Sequence, residues 1–213
     1  MVCWEKTERD KAMKLIIASN NAHKLTEIKA ILGNHFEEIL SMREAGIEHE
    51  TVEDGNTFLE NARKKAREMA EISGCCALAD DSGICVDALD GAPGIYSARY
   101  GFDESLNDRG RLELLLSNMQ QVPDCSRQAK FVCVITMVTP DGQVVQARGE
   151  AHGKILRSAA GEGGFGYDPV FYYPPLGKTF AELSAEEKNQ VSHRAEALKS
   201  FYKKLVEAGY ADK

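Results

Sequence analysis

Basic charge is in shorter supply than acidic charge in this chain. Its 213 residues carry 26 Lys and Arg against 33 Asp and Glu, a net charge of −7. A general duplex-DNA binder needs a basic face, so no nucleic-acid partner is expected, although a small anion held by a few local cations remains possible. No apolar run approaches the roughly 20 residues that span a bilayer, so no membrane partner is expected either. The single Trp, Trp4, falls in a charged leader, "MVCWEKTERDKA", that lacks the apolar centre of a secretion signal. Residues 1–13 read as a flexible leader or as sequence ahead of a second start at Met13. Residues 14–213 read as the folded unit, of a length that suits one domain or two tightly joined lobes.

Other absences narrow the chemistry. Cys3, Cys75, Cys76, Cys85, Cys125 and Cys133 include no C-x-x-C pair, which argues against a zinc site. Several lie in apolar runs such as "FVCVITMV", the pattern of buried thiols in a reducing cytosol, so a cytoplasmic setting is expected. No G-x-S-x-G hydrolase elbow occurs. Gly177-Lys178-Thr179 resembles the tail of a phosphate-binding P-loop, but the motif needs glycine at position 172, which is Tyr. Gly161, Gly163 and Gly166 have the G-x-G-x-x-G spacing of a dinucleotide-binding turn. Such a turn must open a helix, and Tyr167-Asp168-Pro169 followed by Val-Phe-Tyr-Tyr-Pro-Pro does not.

What is present is a mixed α/β pattern. "KLIIAS" reads as a buried strand, followed by a helix with Leu25, Ile28, Ile31 and Leu32 at helical spacing and Gly33 as its stop. A second helix is predicted from near Asn56, with an apolar stripe of Phe58, Leu59, Ala62, Ala66, Met69 and Ala70 and a stop at Gly74. "CCALADDSGICVDAL" reads as strand, tight turn at Asp81-Ser82-Gly83, and strand. "GAPGIYSARYG" reads as loop, "NDRGRLELLLSNM" as helix, and the segment from Gln128 to Leu156 as a long hairpin turning at Pro140-Asp141-Gly142. Ser184 and Glu187 form a capping box for one last helix, with Val191, Ala195, Leu198, Tyr202 and Leu205 buried and Ser192-His193-Arg194 inside it. The expected fold is a mixed central sheet with flanking helices, in two lobes around a cleft.

Three stretches can carry chemistry. At Ser19-Asn20-Asn21-Ala22-His23-Lys24 a strand gives way to a helix, so free N–H groups and the positive end of the helix dipole meet short polar side chains and a lysine. That suits phosphate oxygens, and it equally suits plain N-capping. Asp80-Asp81-Ser82-Gly83 offers two carboxylates that can bind magnesium or orient a water, or it can be an Asx turn. The Asp-Ser-Gly tripeptide also fits an aspartic protease, but its two facing carboxylates would then require a homodimer. Glu53-Asp54-Gly55 is a second acidic turn, ahead of Arg63, Lys64, Lys65 and Arg67.

Together, "SNNAHK", "DGNTFLENARKKA", "ALADDSGICVDALDGAPGIYSARY", "GGFGYDPVF" and "GKTFAELSAEEKNQVSHRAEAL" occur in an order that resembles the inosine triphosphate pyrophosphatase family, from Lys14 to about Val206. The resemblance implies a two-lobed α/β fold, usually a homodimer. It also implies magnesium-dependent hydrolysis of deaminated purine nucleoside triphosphates (ITP, dITP, XTP) to monophosphate and pyrophosphate. It puts Ser19, Asn21 and Lys24 on the triphosphate within the turn formed by residues 19–24, with Asn20, Ala22 and His23 beside them. Lys65 becomes a phosphate contact. Glu53 and Asp81 serve the metal, Asp81 accepts the water's proton, Asp80 assists, and Ser82 lies beside the substrate. Phe165, Gly166, Tyr167 and Asp168 form the base and sugar pocket, joined by Lys188, His193 and Arg194. Competing readings are a pyrophosphatase of pyrimidine or modified nucleotides and a nucleotide-binding module without turnover; the acidic pair counts against the latter.

Overall fold

The computed structural model describes residues 14–33, 35–103 and 105–210; the leader before Lys14, and the expectation attached to it, lie outside them. Leu-Ile-Ile makes β1 (Lys14–Ile17) a buried strand. The chain then turns into α1 (Ala22–Leu32), which Asn21 caps and which buries Ile28 and Leu32. β2 (Glu38–Ser41) returns parallel to β1. Thr57 caps α2 (Phe58–Ser73), and Gly74 ends it in left-handed backbone. The predicted stripe is buried except for Leu59, which is exposed in the first turn of the helix.

β3 (Cys76–Val86) departs from the sequence reading. Instead of turning at Asp81–Gly83 it runs straight, parallel to β1 on one side and antiparallel to β4 (Gln128–Val138) on the other, with Asp81 opposite Val134. The ladder to β4 satisfies the backbone that a turn would have left to side chains. Gly83 serves close approach rather than bending. A Cβ there would lie 2.3 Å from the Gly94 carbonyl oxygen and 2.4 Å from Ser97 Oγ, both in a 3-10 helix (Gly94–Arg99) where the sequence suggested loop.

α3 (Asp108–Asn118) precedes β4, and β5 (Val144–Ile155) pairs with β4 through the expected hairpin. Short β6 (Phe171–Tyr173) and β7 (Lys178–Thr179) complete a seven-stranded sheet in the order β2-β1-β3-β4-β5-β6-β7, the mixed α/β class the sequence predicts. The last helix is broken at Ser192 into α4 (Ala185–Val191) and α5 (His193–Glu207). Ser192 takes extended backbone; its N–H closes α4 on the Lys188 carbonyl, and its hydroxyl accepts from Ala195 N–H to open α5. His193 and Arg194 therefore stand in the first turn of a new helix, not inside an older one.

Side-chain alternation along β3 decides what each face receives. Leu78 packs with Leu32, Leu198 and Phe201 under α1 and α5, whereas Ala77 and Ala79 pack with Ala66 and Met69 of α2. A further core gathers Phe131, Phe171 and Phe180 beside α3. No helix among the described residues is long and apolar enough to cross a membrane.

Candidate active site

The same alternation separates the two adjacent aspartates. Asp80 faces α1 and α5, where Lys24 Nζ lies 3.0 Å from its Oδ1 and Arg194 Nη2 lies 3.1 Å from its Oδ2. Burial of Asp80 would raise its pKa, but Lys24, Arg194 and Lys65 outweigh that and hold it far below the usual carboxylate range. Asp81 faces α2. Asn61 Nδ2 donates to its Oδ2 at 3.2 Å, and Lys65 Nζ lies 3.4 Å from its Oδ1. Burial raises the Asp81 pKa against the pull of Lys65, and the nearby Glu53 carboxylate adds to the rise.

Glu53 arrives from the turn before α2. Its Oε1 takes Lys65 at 2.5 Å and its Oε2 takes Arg99 Nη1 at 3.1 Å. Of the cations crowded on α2, Lys64 turns outward to Asp54, and Lys65 turns inward to the acidic pair. The structure thus holds a positive charge between Glu53 and Asp81. Two hard carboxylates with space for substrate oxygens are a donor set that suits magnesium, which takes one or two protein carboxylates and completes its shell with phosphates and water. Among the described residues no cluster of three or more His, Cys, Asp or Glu could hold a metal by itself.

At the β1–α1 junction, Ser19 Oγ accepts from Asn21 N–H, and Asn21 Oδ1 accepts from the N–H groups of His23 and Lys24 at 3.0 and 3.2 Å. Capping is therefore present, and Asn21 and Lys24 also line a cleft that they share with Glu53 and Asp81. Asn20 turns away, its Oδ1 accepting from Arg43 N–H. Ala22 opens α1, and His23 stacks on Phe165 with ring centroids 5.1 Å apart.

The far wall of the cleft comes from the glycine-rich segment and α5. Gly161, Gly164 and Gly166 have positive φ. Gly164 must be small as well, since a Cβ there would lie 2.3 Å from Asp168 Oδ2. That oxygen accepts from Phe165 N–H at 2.8 Å and from Lys188 Nζ at 2.7 Å. Tyr167 donates its hydroxyl to the Ser97 carbonyl at 2.8 Å, joining this segment to the 3-10 helix. His193 is buried and stacks on Phe131; burial, then the Arg194 and Lys188 charges, push its pKa well below the usual imidazole value, so the ring is neutral. Its Nδ1 has no hydrogen-bond partner among the described residues. Arg194 is also buried, bound to Glu27, Asp80 and Ser82.

Ser82, Phe165, Gly166, Asp168, His193 and Arg194 border the cleft with Asn21, Lys24, Glu53 and Asp81. Sequence reasoning missed Glu27, which meets both Lys188 and Arg194, and Asn61 and Arg99, which hold Asp81 and Glu53. Glu27 looks like an ordinary charged helix position. Asn61 carries a signal in hindsight, since it is a polar residue on the otherwise apolar stripe of α2 and is completely buried.

Residues 15–204 match the profile of the Ham1 family. The chain belongs to the Ham1 family. Among its relatives, a protein of Clostridium perfringens named dITP/XTP pyrophosphatase is 49% identical over 191 residues, covering 87% of this chain and 93% of the relative. One of the same name from Salmonella typhimurium is 46% identical over 188 residues, covering 87% and 94%. The solved Ham1 protein of Staphylococcus aureus superposes with a TM-score of 0.81 at 40% identity, over 92% of this chain and 98% of that one. The Coxiella burnetii Ham1 protein gives 0.83 at 37% identity, over 92% and 99%. The Ham1 fold is thus the open mixed sheet described above.

Proposed function

We infer that this Ham1 protein hydrolyses deaminated purine nucleoside triphosphates, ITP, dITP and XTP, to the monophosphate and pyrophosphate, and so clears them from the nucleotide pool. The observation that carries the reading is a single cleft in which Lys24, in the first turn of α1, lies with Glu53 and Asp81, the carboxylates that Lys65 bridges. The relatives named dITP/XTP pyrophosphatase supply the substrate class.

In this reading Ser19, Asn21, Lys24 and Lys65 bind the triphosphate, and Glu53 and Asp81 hold magnesium. Bound magnesium supplies charge neutralisation on the phosphoryl oxygens. Phosphoryl transfer asks the protein for positioning and electrostatics rather than covalent help. Asp81 takes the proton of the water that attacks the α-phosphorus. Asp80 stays ionised and fixes Lys24 and Arg194. The purine lies against Phe165, where stacking is worth about 1–3 kcal/mol and tolerates any base. Against adenine nucleotides, selection falls to the 6-oxo group, which accepts from a donor nitrogen of His193 or from Arg194 where adenine presents an amine; guanine shares the 6-oxo group, so this contact does not act against it. A cytosolic homodimer completes the reading, and sedimentation equilibrium tests the dimer.

The test is a panel of dITP, XTP, dATP, dGTP, dUTP and dTTP, with and without magnesium, scored for pyrophosphate. Magnesium-dependent release from dITP and XTP well above the others is expected. Preference for dUTP or dTTP would transfer the protein to pyrimidine nucleotides, and no release from any would leave a binding module.

A further inference from the structure

Phe165 is a wall with two sides. It borders the cleft that holds Lys24 and Asp81, and it also borders an outer groove formed with Asp108, Arg157 and Gly164. His23 borders only the groove. The His23 ring, exposed on the first turn of α1, lies 14° from parallel with the Phe165 ring, so it covers the groove side. Lys188 Nζ, buried, stands 4.7 Å from the same ring centroid.

The backbone around Phe165 does little to fix that ring. Gly164 and Gly166 flank it with positive φ, and its own N–H bond to Asp168 anchors the main chain rather than the side chain. His23 stands on the first turn of α1, where the Asn21 cap accepts its N–H, so its main chain too is fixed. The geometry points to His23 as a positioning residue that backs the Phe165 ring from outside, so that the purine completes a three-layer stack of base, Phe165 and His23. The stack ties the turn that receives phosphates to the segment that receives the base. His23 then acts on base affinity without touching substrate, although it lies within a phosphate-binding turn. The inference rests on the purine-binding role given above to Phe165.

The experiment measures calorimetric Kd values for dIMP and for inorganic tripolyphosphate, with magnesium, on the wild-type protein, His23→Ala and His23→Phe. An aromatic pair contributes enough for His23→Ala to weaken dIMP about 2- to 10-fold. Tripolyphosphate, which has no base, should bind the variant as it binds wild type, and His23→Phe should restore dIMP binding. Equal weakening of both ligands would make His23 part of the phosphate turn and overturn the proposal. Unchanged dIMP binding in His23→Ala, or no restoration by His23→Phe, would overturn it too. A wild-type protein that binds dIMP but releases no pyrophosphate from dITP would reject the catalytic reading alone, and the three-way comparison would still stand. A wild-type protein that binds no dIMP would overturn both.

Discussion

At Asp81, burial and the neighbouring Glu53 carboxylate raise the pKa, whereas one residue earlier Lys24 and Arg194 keep Asp80 ionised against its own burial. In the proposed mechanism Asp81 accepts the water's proton, so Asp81→Asn should lower kcat for dITP by about 10²–10⁴ while dIMP binding stays within a few-fold. Steady-state kinetics with calorimetry would check this, and a variant of near-normal turnover would move the base elsewhere. His193 yields a second expectation at this scale. Its folded-state pKa lies well below the unfolded value of 6.5, so as the pH falls the unfolded chain takes up the proton first. Stability is then lost from about pH 6.5 downward, toward the folded pKa, by about 1.4 kcal/mol per pH unit for this one group. Urea unfolding at pH 7.5 and 5.5 should show that loss, and His193→Gln should reduce it. Most of these residues were readable in the sequence because their types suit phosphate chemistry and their motifs carry the family resemblance. Glu27 was not, because only the approach of α4 and α5 to α1 turns it from a helical carboxylate into the partner of Lys188 and Arg194.

Elements were legible where local signals act alone. The capping box at Ser184, the left-handed stop at Gly74 and the hairpin at Gly142 all stand where their chemistry predicts. Two were not legible, for different physical reasons. Asp-Asp-Ser-Gly has turn composition, yet β4 offers an unbroken ladder that holds β3 straight. The helical spacing across Ser192 is continuous, yet the serine closes one helix and opens the next. In the first case tertiary pairing outweighs local preference; in the second a local serine cap interrupts a continuous apolar spacing. Gly83 is the sharpest probe at this scale. Gly83→Ala would drive a methyl into the Gly94 carbonyl and Ser97 hydroxyl, where a true turn glycine would lose only conformational freedom. A loss of about 1–3 kcal/mol in urea unfolding is expected, with weakened dITP hydrolysis, because the displaced 3-10 helix carries Arg99 to Glu53. An unperturbed Gly83→Ala protein would mean that the contact yields.

Across the whole molecule, the sheet order does the assembling. β1 and β3 are parallel neighbours, so the turn after β1 and the acidic middle of β3 meet at one side of the sheet, and α2 brings Lys65 to the other carboxylate. The hairpin and short strands that follow carry the glycine-rich segment round to face them, and Tyr167 fastens it to Ser97. The sequence could name both walls but not their distance, which depends on strand order and on the packing of α5 over β4 and β5. In the proposed function this cleft directs water to the α-phosphorus of a deaminated purine triphosphate. The most direct test is hydrolysis of dITP with magnesium in ¹⁸O-enriched water, followed by mass analysis of both products. Pyrophosphate and dIMP with the label in dIMP are expected; label in the pyrophosphate, or orthophosphate as the released product, would overturn that assignment of the attacked phosphorus.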